Sequence, residues 1–146
     1  MPHDTNRDAR ASQQLAPADA LALMASVAIG RVVFSLAALP AIVPVHFRFD
    51  RGTLVFRLVG DERVRAALHD CVCAFEADAY DRRERSGWTV TVTGRAHCVP
   101  DTDEAGRPAR VPPRGWDSGE PRHFFRITPE VVVGRLLHDT GRPLPV

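Results

Sequence analysis

The sequence predicts a mainly β domain, a small antiparallel barrel or sandwich with two short helices. Three observations carry this. Apolar and polar residues alternate with period two through most of 29–99. Turn signals interrupt that alternation every eight to twelve residues, as at Asp50-Arg51-Gly52 and Asp81–Gly87. Helical spacing occurs only twice, and briefly, near 17–26 and 62–69. Periodicity alone does not choose between a barrel and a sandwich. A chain of 146 residues with 45% hydrophobic and 25% charged residues is one ordinary globular domain's worth.

Residues 1–14 are polar and aperiodic and read as a disordered tail. Pro17 opens the first helix, with Asp19 in the first turn and Leu21 and Met24 on its apolar stripe. Ile29–Leu36 and Ala41–Phe49 read as the first two strands. Pro44 cannot donate to a ladder, so the second strand lies on an edge or carries a bulge there. Asp50-Arg51-Gly52 turns the chain into a third strand, Thr53–Val59, which completes a meander. Asp61 is placed to cap a helix from Glu62 to about His69, with Val64, Ala67 and Leu68 inward. Cys71–Tyr80 and Trp88–Val99 are strands joined by a charged turn. In the longer one, Trp88, Val90, Val92, Gly94 and Ala96 share a face. Residues 100–121, with five prolines, form a long irregular loop, which is functional or mobile more often than incidental. His123–Ile127 and Val131–Leu137 read as two further strands with a Thr-Pro-Glu turn between them. The domain spans 15–138, and 139–146 is a polar, proline-rich tail.

Composition removes several functions. The formal charge is +1, which argues against a nucleic-acid binder. All 19 basic residues are arginine, so no lysine Schiff base, lysine general base or P-loop lysine exists. The N-terminus has no apolar run of a signal peptide. The longest apolar stretch, Leu36–Val45, is too short to cross a bilayer and contains two prolines. Three cysteines do not suggest a disulfide framework and fit a reducing cytoplasm.

Four constellations bear on chemistry. Arg57 on a strand and Arg63 at a helix start, with free amides there, would suit a phosphate. The competing reading is two solvated arginines, and Glu62 favours it by repelling an anion. Trp88, at a strand end, can stack on a flat ring or simply fill core. Cys71-x-Cys73, with His69, His97 and Cys98 nearby, has the wrong spacing and context for zinc, so small buried thiols fit better. His46 can contact a ligand or shuttle a proton, against the plainer reading of a surface or interface histidine. No serine has the context of a nucleophile elbow, and no catalytic residue is assigned.

Ordered motifs then line up. They are GRVVF at 30–34, PxxxPVHF at 40–47, LVFR at 54–57, ERVRAAL at 62–68, AFEAD at 74–78, GWTVTVTGRA at 87–96 and RITPEVVVGR at 126–135. The chain resembles the pyridoxamine 5′-phosphate oxidase-related, FMN-binding split-barrel family, especially its small actinobacterial members. The resemblance implies a Greek-key-like split β-barrel that forms a homodimer with two flavin sites at the interface. It implies an FMN-dependent oxidoreductase of unspecified substrate. Pro44, Val45 and His46 would lie along the flavin ring, Arg57 and Arg63 would hold the phosphate, and Trp88 would line the site across the interface. Relatives usually carry Ser-Lys at the helix start where this chain has Glu62-Arg63. That departure leaves two alternatives: a deazaflavin coenzyme served by extra basic residues such as Arg110 and Arg114, or a non-catalytic flavin- or haem-binding module.

Overall fold

A computed structural model describes residues 12–99 and 122–138. Among these, seven strands and two helices follow one another as β1 (Ser12–Leu15), α1 (Pro17–Ala25), β2 (Ile29–Leu36), β3 (Leu39–Asp50), β4 (Thr53–Val59), α2 (Glu62–Leu68), β5 (Cys71–Asp81), β6 (Ser86–Val99) and β7 (Arg122–His138). The loop expected at 100–121 and the tail expected at 139–146 lie outside the described residues, as do Arg110 and Arg114.

The sheet runs β1-β7-β4-β3-β2-β5-β6, and β6 also pairs with β7, so six antiparallel strands close on themselves. β2, β3 and β4 form the expected meander, and β5 returns through α2 to lie beside β2 in a Greek-key connection. Closure decides between barrel and sandwich, which the alternation could not.

The inner face is apolar because the alternation is strict. Val90, Val92 and Ala96 on β6 are fully buried, as are Leu54 and Phe56 on β4. Four rings fill the centre. Phe75 sits 4.9 Å from Phe47 and 5.6 Å from Phe56, which in turn lies 5.6 Å from Phe125, measured between centroids. Such offset and edge-on pairs add to plain burial. Gly30 makes room for this cluster, since a Cβ there would lie 2.2 Å from Phe75. α1 closes one end of the barrel with Ala20 and Met24, both fully buried.

Three expectations change. Ser12–Leu15 pairs with β7 across Ser12↔Leu137 to Leu15↔Gly134, so the tail expected at 1–14 gives way to a strand at its last residues. The two final strands are one, β7. The expected Thr-Pro-Glu turn is a bulge: Thr93 faces Val131 and Gly94 faces Pro129, leaving Glu130 as the extra residue. The unread turn between β2 and β3 is Ala37-Ala38, with both residues at positive φ, 51° and 62°. A two-residue hairpin needs that twist, and alanine adopts it at a cost, which is why no turn signal stood in the sequence. Arg51 and Gly52 make the same turn with φ of 51° and 77°.

Two substitutions test this. Replacing Ala37-Ala38 by Asn-Gly should stabilise the fold by about 1 kcal/mol in urea unfolding. Gly94→Ala should lower stability by about 1–3 kcal/mol, because the new Cβ would fall 2.1 Å from the Thr128 carbonyl oxygen at the bulge. Unchanged midpoints would remove the turn strain and the tight crossing from the account.

Candidate functional site

β3 and β4 pair from Asp50↔Thr53 to Phe47↔Phe56 and then part. Beyond that point residues 39–46 of β3 have β2 as their strand partner, while β4 continues against β7. This is the edge that Pro44 required. His46 and Arg57 are the first residues on either side of the opening. Val45, Phe47, Phe56 and Leu58 point into the core, so His46 and Arg57 point outward. Both are nonetheless 3% exposed. His46 is therefore not a surface residue. In register, Ile29 lies opposite His46, and Phe124 lies opposite Arg57. The row Ile29, His46, Arg57, Phe124 thus places two nitrogen-bearing side chains between apolar neighbours. A guanidinium so buried needs acceptors around it.

The other proposed residues fall in three places. Pro44 is exposed beside His46. The Val45 side chain is 1% exposed and packed in the core, so only its backbone can face a ligand. Trp88 is 9% exposed, belongs to the core cluster and pairs with Leu136. Arg57 is level with Phe124 on the same β7 strand. Twelve residues of β7 separate these levels, about 40 Å measured along the strand. Within one chain Trp88 and Arg57 are thus level with opposite ends of β7. Trp88 instead walls an open groove of about 510 Å3 with Tyr80, Asp81, Leu136 and His138, a volume in the range of small-ligand sites.

The start of α2 differs most from expectation. Its amides are not free. Asp61 Oδ1 accepts from the backbone N–H of Arg63 at 3.0 Å and of Val64 at 3.3 Å. Asp61 Oδ2 accepts from Arg63 Nε and a terminal guanidinium nitrogen, both at 3.2 Å. Arg63 itself is 86% exposed. Glu62 accepts from Arg65 Nε at 2.8 Å rather than meeting Arg63. Hydrogen bonds from the Val64 amide and from Arg63 hold the Asp61 carboxyl below its ordinary range, and the Arg65 hydrogen bond does the same for Glu62. Both are ionised at neutral pH. Sequence reasoning found the cap but not its second grip on Arg63, which depends on where a long side chain folds back.

Among the described residues no group of three or more His, Cys, Asp or Glu is placed to hold a metal ion. Cys73 is buried, and burial, with Cys71 beside it, pushes its thiol up to about 11. Cys71 is exposed, contrary to the expectation of two buried thiols. His69 Nδ1 accepts from the Cys98 amide at 3.0 Å, which gives that histidine a structural task.

The family described as pyridoxamine 5′-phosphate oxidase matches residues 16–136. The chain belongs to the pyridoxamine 5′-phosphate oxidase-related family. It is 37% identical to an uncharacterized protein of Mycobacterium tuberculosis over 143 residues, covering 94% of this chain and 93% of that one. Its fold is similar to that of an FAD-binding protein from Mycobacterium smegmatis, with TM-score 0.68 and 28% identity over 86% of this chain and 98% of the other. A conserved protein of unknown function from Corynebacterium diphtheriae gives 0.70 and 27%, over 87% and 98%. The split-barrel architecture is shared across these relatives.

Flavin is the cofactor this family implies. The row at the mouth of the split fits it, because apolar side chains flank hydrogen-bonding ones. The carboxylates at the start of α2 do not fit the terminal phosphate expected to rest there.

Asp61→Ala should lower the melting temperature by removing the cap. The sign of its pH dependence is fixed, because the folded-state carboxyl titrates lower than the unfolded one. The cap's contribution is complete above the ordinary aspartate range, about pH 4, and is lost as the pH falls through the folded value. The gap between wild type and variant should close in acid, and a pH-independent gap would disprove the ionised cap. In alkylation at neutral pH, Cys71 should react promptly and Cys73 only on unfolding; early modification of Cys73 would contradict its burial.

Proposed function

We propose that this chain is a flavin-binding protein that acts as a flavin-dependent oxidoreductase in a pair of identical copies. The observation that carries the reading is the buried pair His46 and Arg57 at the opening between β3 and β4, in a chain of this family. The FAD-binding neighbour from Mycobacterium smegmatis supports it. FMN, which the resemblance implies, and FAD share a ring and a first phosphate, so both are candidates for the same row.

A bound flavin supplies the redox chemistry itself. The work left to the chain is binding and exclusion of water. Arg57 would hold an anionic or carbonyl-bearing edge of the cofactor, with its fork already fixed by burial. Pro44 and the Val45 backbone would border the ring, and Ile29 and Phe124 would keep water from its edges. His46 is the one side chain of the row able to exchange a proton. No substrate is named by the residues.

Two observations support the pair of copies. A band on the outer sheet face runs through Ile42, Val33, Ala74, Thr93 and Val131 in register. Within it Ile42 is 66% and Val131 54% exposed, so the band offers apolar side chains at both ends to a partner. The resemblance puts Arg57 and Trp88 at one site, and their places toward opposite ends of β7 favour the Trp88 of a second copy there. No helix among the described residues is long and apolar enough to cross a membrane. Three unbridged cysteines, one of them exposed, fit a reducing compartment.

Titrating the purified chain with FAD and with FMN, followed by absorbance and by flavin fluorescence, tests the reading. Saturable binding is expected. Arg57→Ala should weaken it about ten- to a hundredfold, the scale of a hydrogen bond to a charged group. Circular dichroism confirms that the variant is folded, and a folded variant with unchanged affinity would refute the role of Arg57. Sedimentation should show a dimer, with Ile42→Glu shifting it to monomer; a monomeric wild type would end the two-copy reading. Sustained oxidation of a reduced nicotinamide separates the oxidoreductase from a non-catalytic module. Preference for a deazaflavin over both flavins would put that coenzyme in first place.

A further inference from the structure

We infer that the groove walled by Tyr80 and Trp88 is a nucleotide-binding site: its aromatic wall takes the flat ring, and Arg82 and Arg83, on the hairpin turn at its rim, take the phosphate. This site is apart from His46 and Arg57, and its ligand is not the flavin of the reading above.

The groove lies where the β5–β6 hairpin meets the end of β7. Its volume is about 510 Å3, and residues of all three strands bound it. Register builds the wall. Tyr80 lies opposite Gly87, Ala79 opposite Trp88, and Trp88 opposite Leu136. A Cβ at Gly87 would fall 3.0 Å from Tyr80 Cδ2, so the missing side chain is what lets the tyrosine ring lie against the strand. Tyr80 is nevertheless 51% exposed, and Trp88 keeps 9%. A large ring held against a strand and left half open to water, beside the accessible part of a tryptophan, is a surface on which a flat heteroaromatic ring can stack. Ala79 and Leu136 make the rest of the wall apolar, as small-molecule sites generally are.

Charge at the rim decides the class of ligand. Asp81 and Ser86 line the groove and face each other across the hairpin, and Arg82-Arg83-Glu84-Arg85 is the turn between them. Asp81 Oδ1 accepts from the backbone N–H of Arg83 at 2.7 Å and of Glu84 at 3.1 Å, which ties the turn to the end of β5. The Asp81 carboxylate is thus used by the turn itself. Arg31, Arg63, Arg65, Arg95 and Arg126 each hold a carboxylate. The Arg82 and Arg83 guanidiniums, by contrast, have no hydrogen bond or ion pair among the described residues. With three arginines against two carboxylates, the hairpin end from Asp81 to Ser86 is net positive. An unpaired guanidinium beside an apolar groove suits a phosphate, which it meets with two parallel N–H donors. Arg82 and Arg83 are two and three residues on from Tyr80, roughly 7–10 Å of extended chain. A ligand that spans this step carries a ring at one end, an anion at the other and a spacer between. That is the layout of a nucleotide, with base, sugar and phosphate, whose phosphomonoester brings a charge of about −1.5 to −2 at neutral pH.

The test is calorimetric titration of the purified chain with AMP, adenosine and inorganic phosphate. AMP should bind at least about tenfold more tightly than either part alone. In the double variant Arg82→Gln, Arg83→Gln, AMP affinity should fall about tenfold while adenosine changes by less than about threefold. Tyr80→Ala should weaken AMP and adenosine alike, about tenfold, and Tyr80→Phe should keep both within about threefold of wild type. Added salt should weaken the binding of AMP and leave that of adenosine unchanged. AMP that binds no better than adenosine or phosphate overturns the inference. So does unchanged AMP affinity in the folded double variant or in folded Tyr80→Ala, with circular dichroism establishing the fold. A parallel loss of FMN or FAD affinity in the double variant also overturns it, since the groove would then be the flavin's own. A chain that binds AMP in this pattern but no flavin upholds the nucleotide site and refutes the flavin reading alone.

Discussion

Everything in this fold depends on the antiparallel ladder between β6 and β7. β6 contributes fourteen residues to it, and β7 crosses the whole molecule. Without that ladder the sheet β7-β4-β3-β2-β5-β6 would be an open, twisted ribbon with an uncovered apolar face. With it the same face becomes the interior of a barrel, and four phenylalanine rings, Phe47, Phe56, Phe75 and Phe125, meet at its centre. The bulge at Gly94 and Pro129–Glu130 lets two such long strands stay paired while bending round that interior. β7 also carries Arg126, whose guanidinium reaches Asp50 Oδ2 at 3.0 Å and the Thr53 hydroxyl at 2.6 Å. The strand that closes the barrel thereby pins the hairpin that opens the candidate site.

The site is a consequence of incomplete pairing. Both strands run on past their last shared pair, Phe47↔Phe56, β3 against β2 and β4 against β7, so the two separate there. Alternation then sends His46 and Arg57 outward at the point of separation, and burial holds them still. Polar function and apolar association consequently occupy one outer face. Ile42 and Pro44 stand on the same strand as His46, two residues apart each. A second copy seated on that face would border the cofactor row.

Much of this was legible in the residues. Strict alternation located β2, β4, β5 and β6 almost to their ends, because one face of each is buried and a slip of one residue would invert it. The cap at Asp61 was legible because the side chain acts on amides two and three residues ahead. The β1 strand was not, since Ser12–Leu15 has no pattern of its own and is recruited by the free edge of β7. Nor was the joining of the last two strands: Thr128-Pro129-Glu130 has turn chemistry, and only the partner strand makes it a bulge. At the site, the sequence singled out Arg57 and His46, and the fold places both, buried, at the opening between β3 and β4. The free amides expected at the start of α2 are instead taken by Asp61, and Arg63 folds back onto the same carboxylate, which depends on the reach of a long side chain.

The stretch of β3 from Leu39 to His46, which has strand pairing on one side only, has a further consequence for the behaviour of the chain in a crowded solution. It is a long edge carrying two exposed apolar side chains, Leu39 and Ile42, 69% and 66% exposed, the kind of edge on which another strand can add and on which fibrils begin. Pro40 and Pro44 sit within it at a spacing of four, and neither has an amide hydrogen to offer an incoming strand. The surface that suits side-by-side docking of whole domains is thus closed to edge-to-edge growth. The chain can keep a sticky face without becoming a template for its own aggregation.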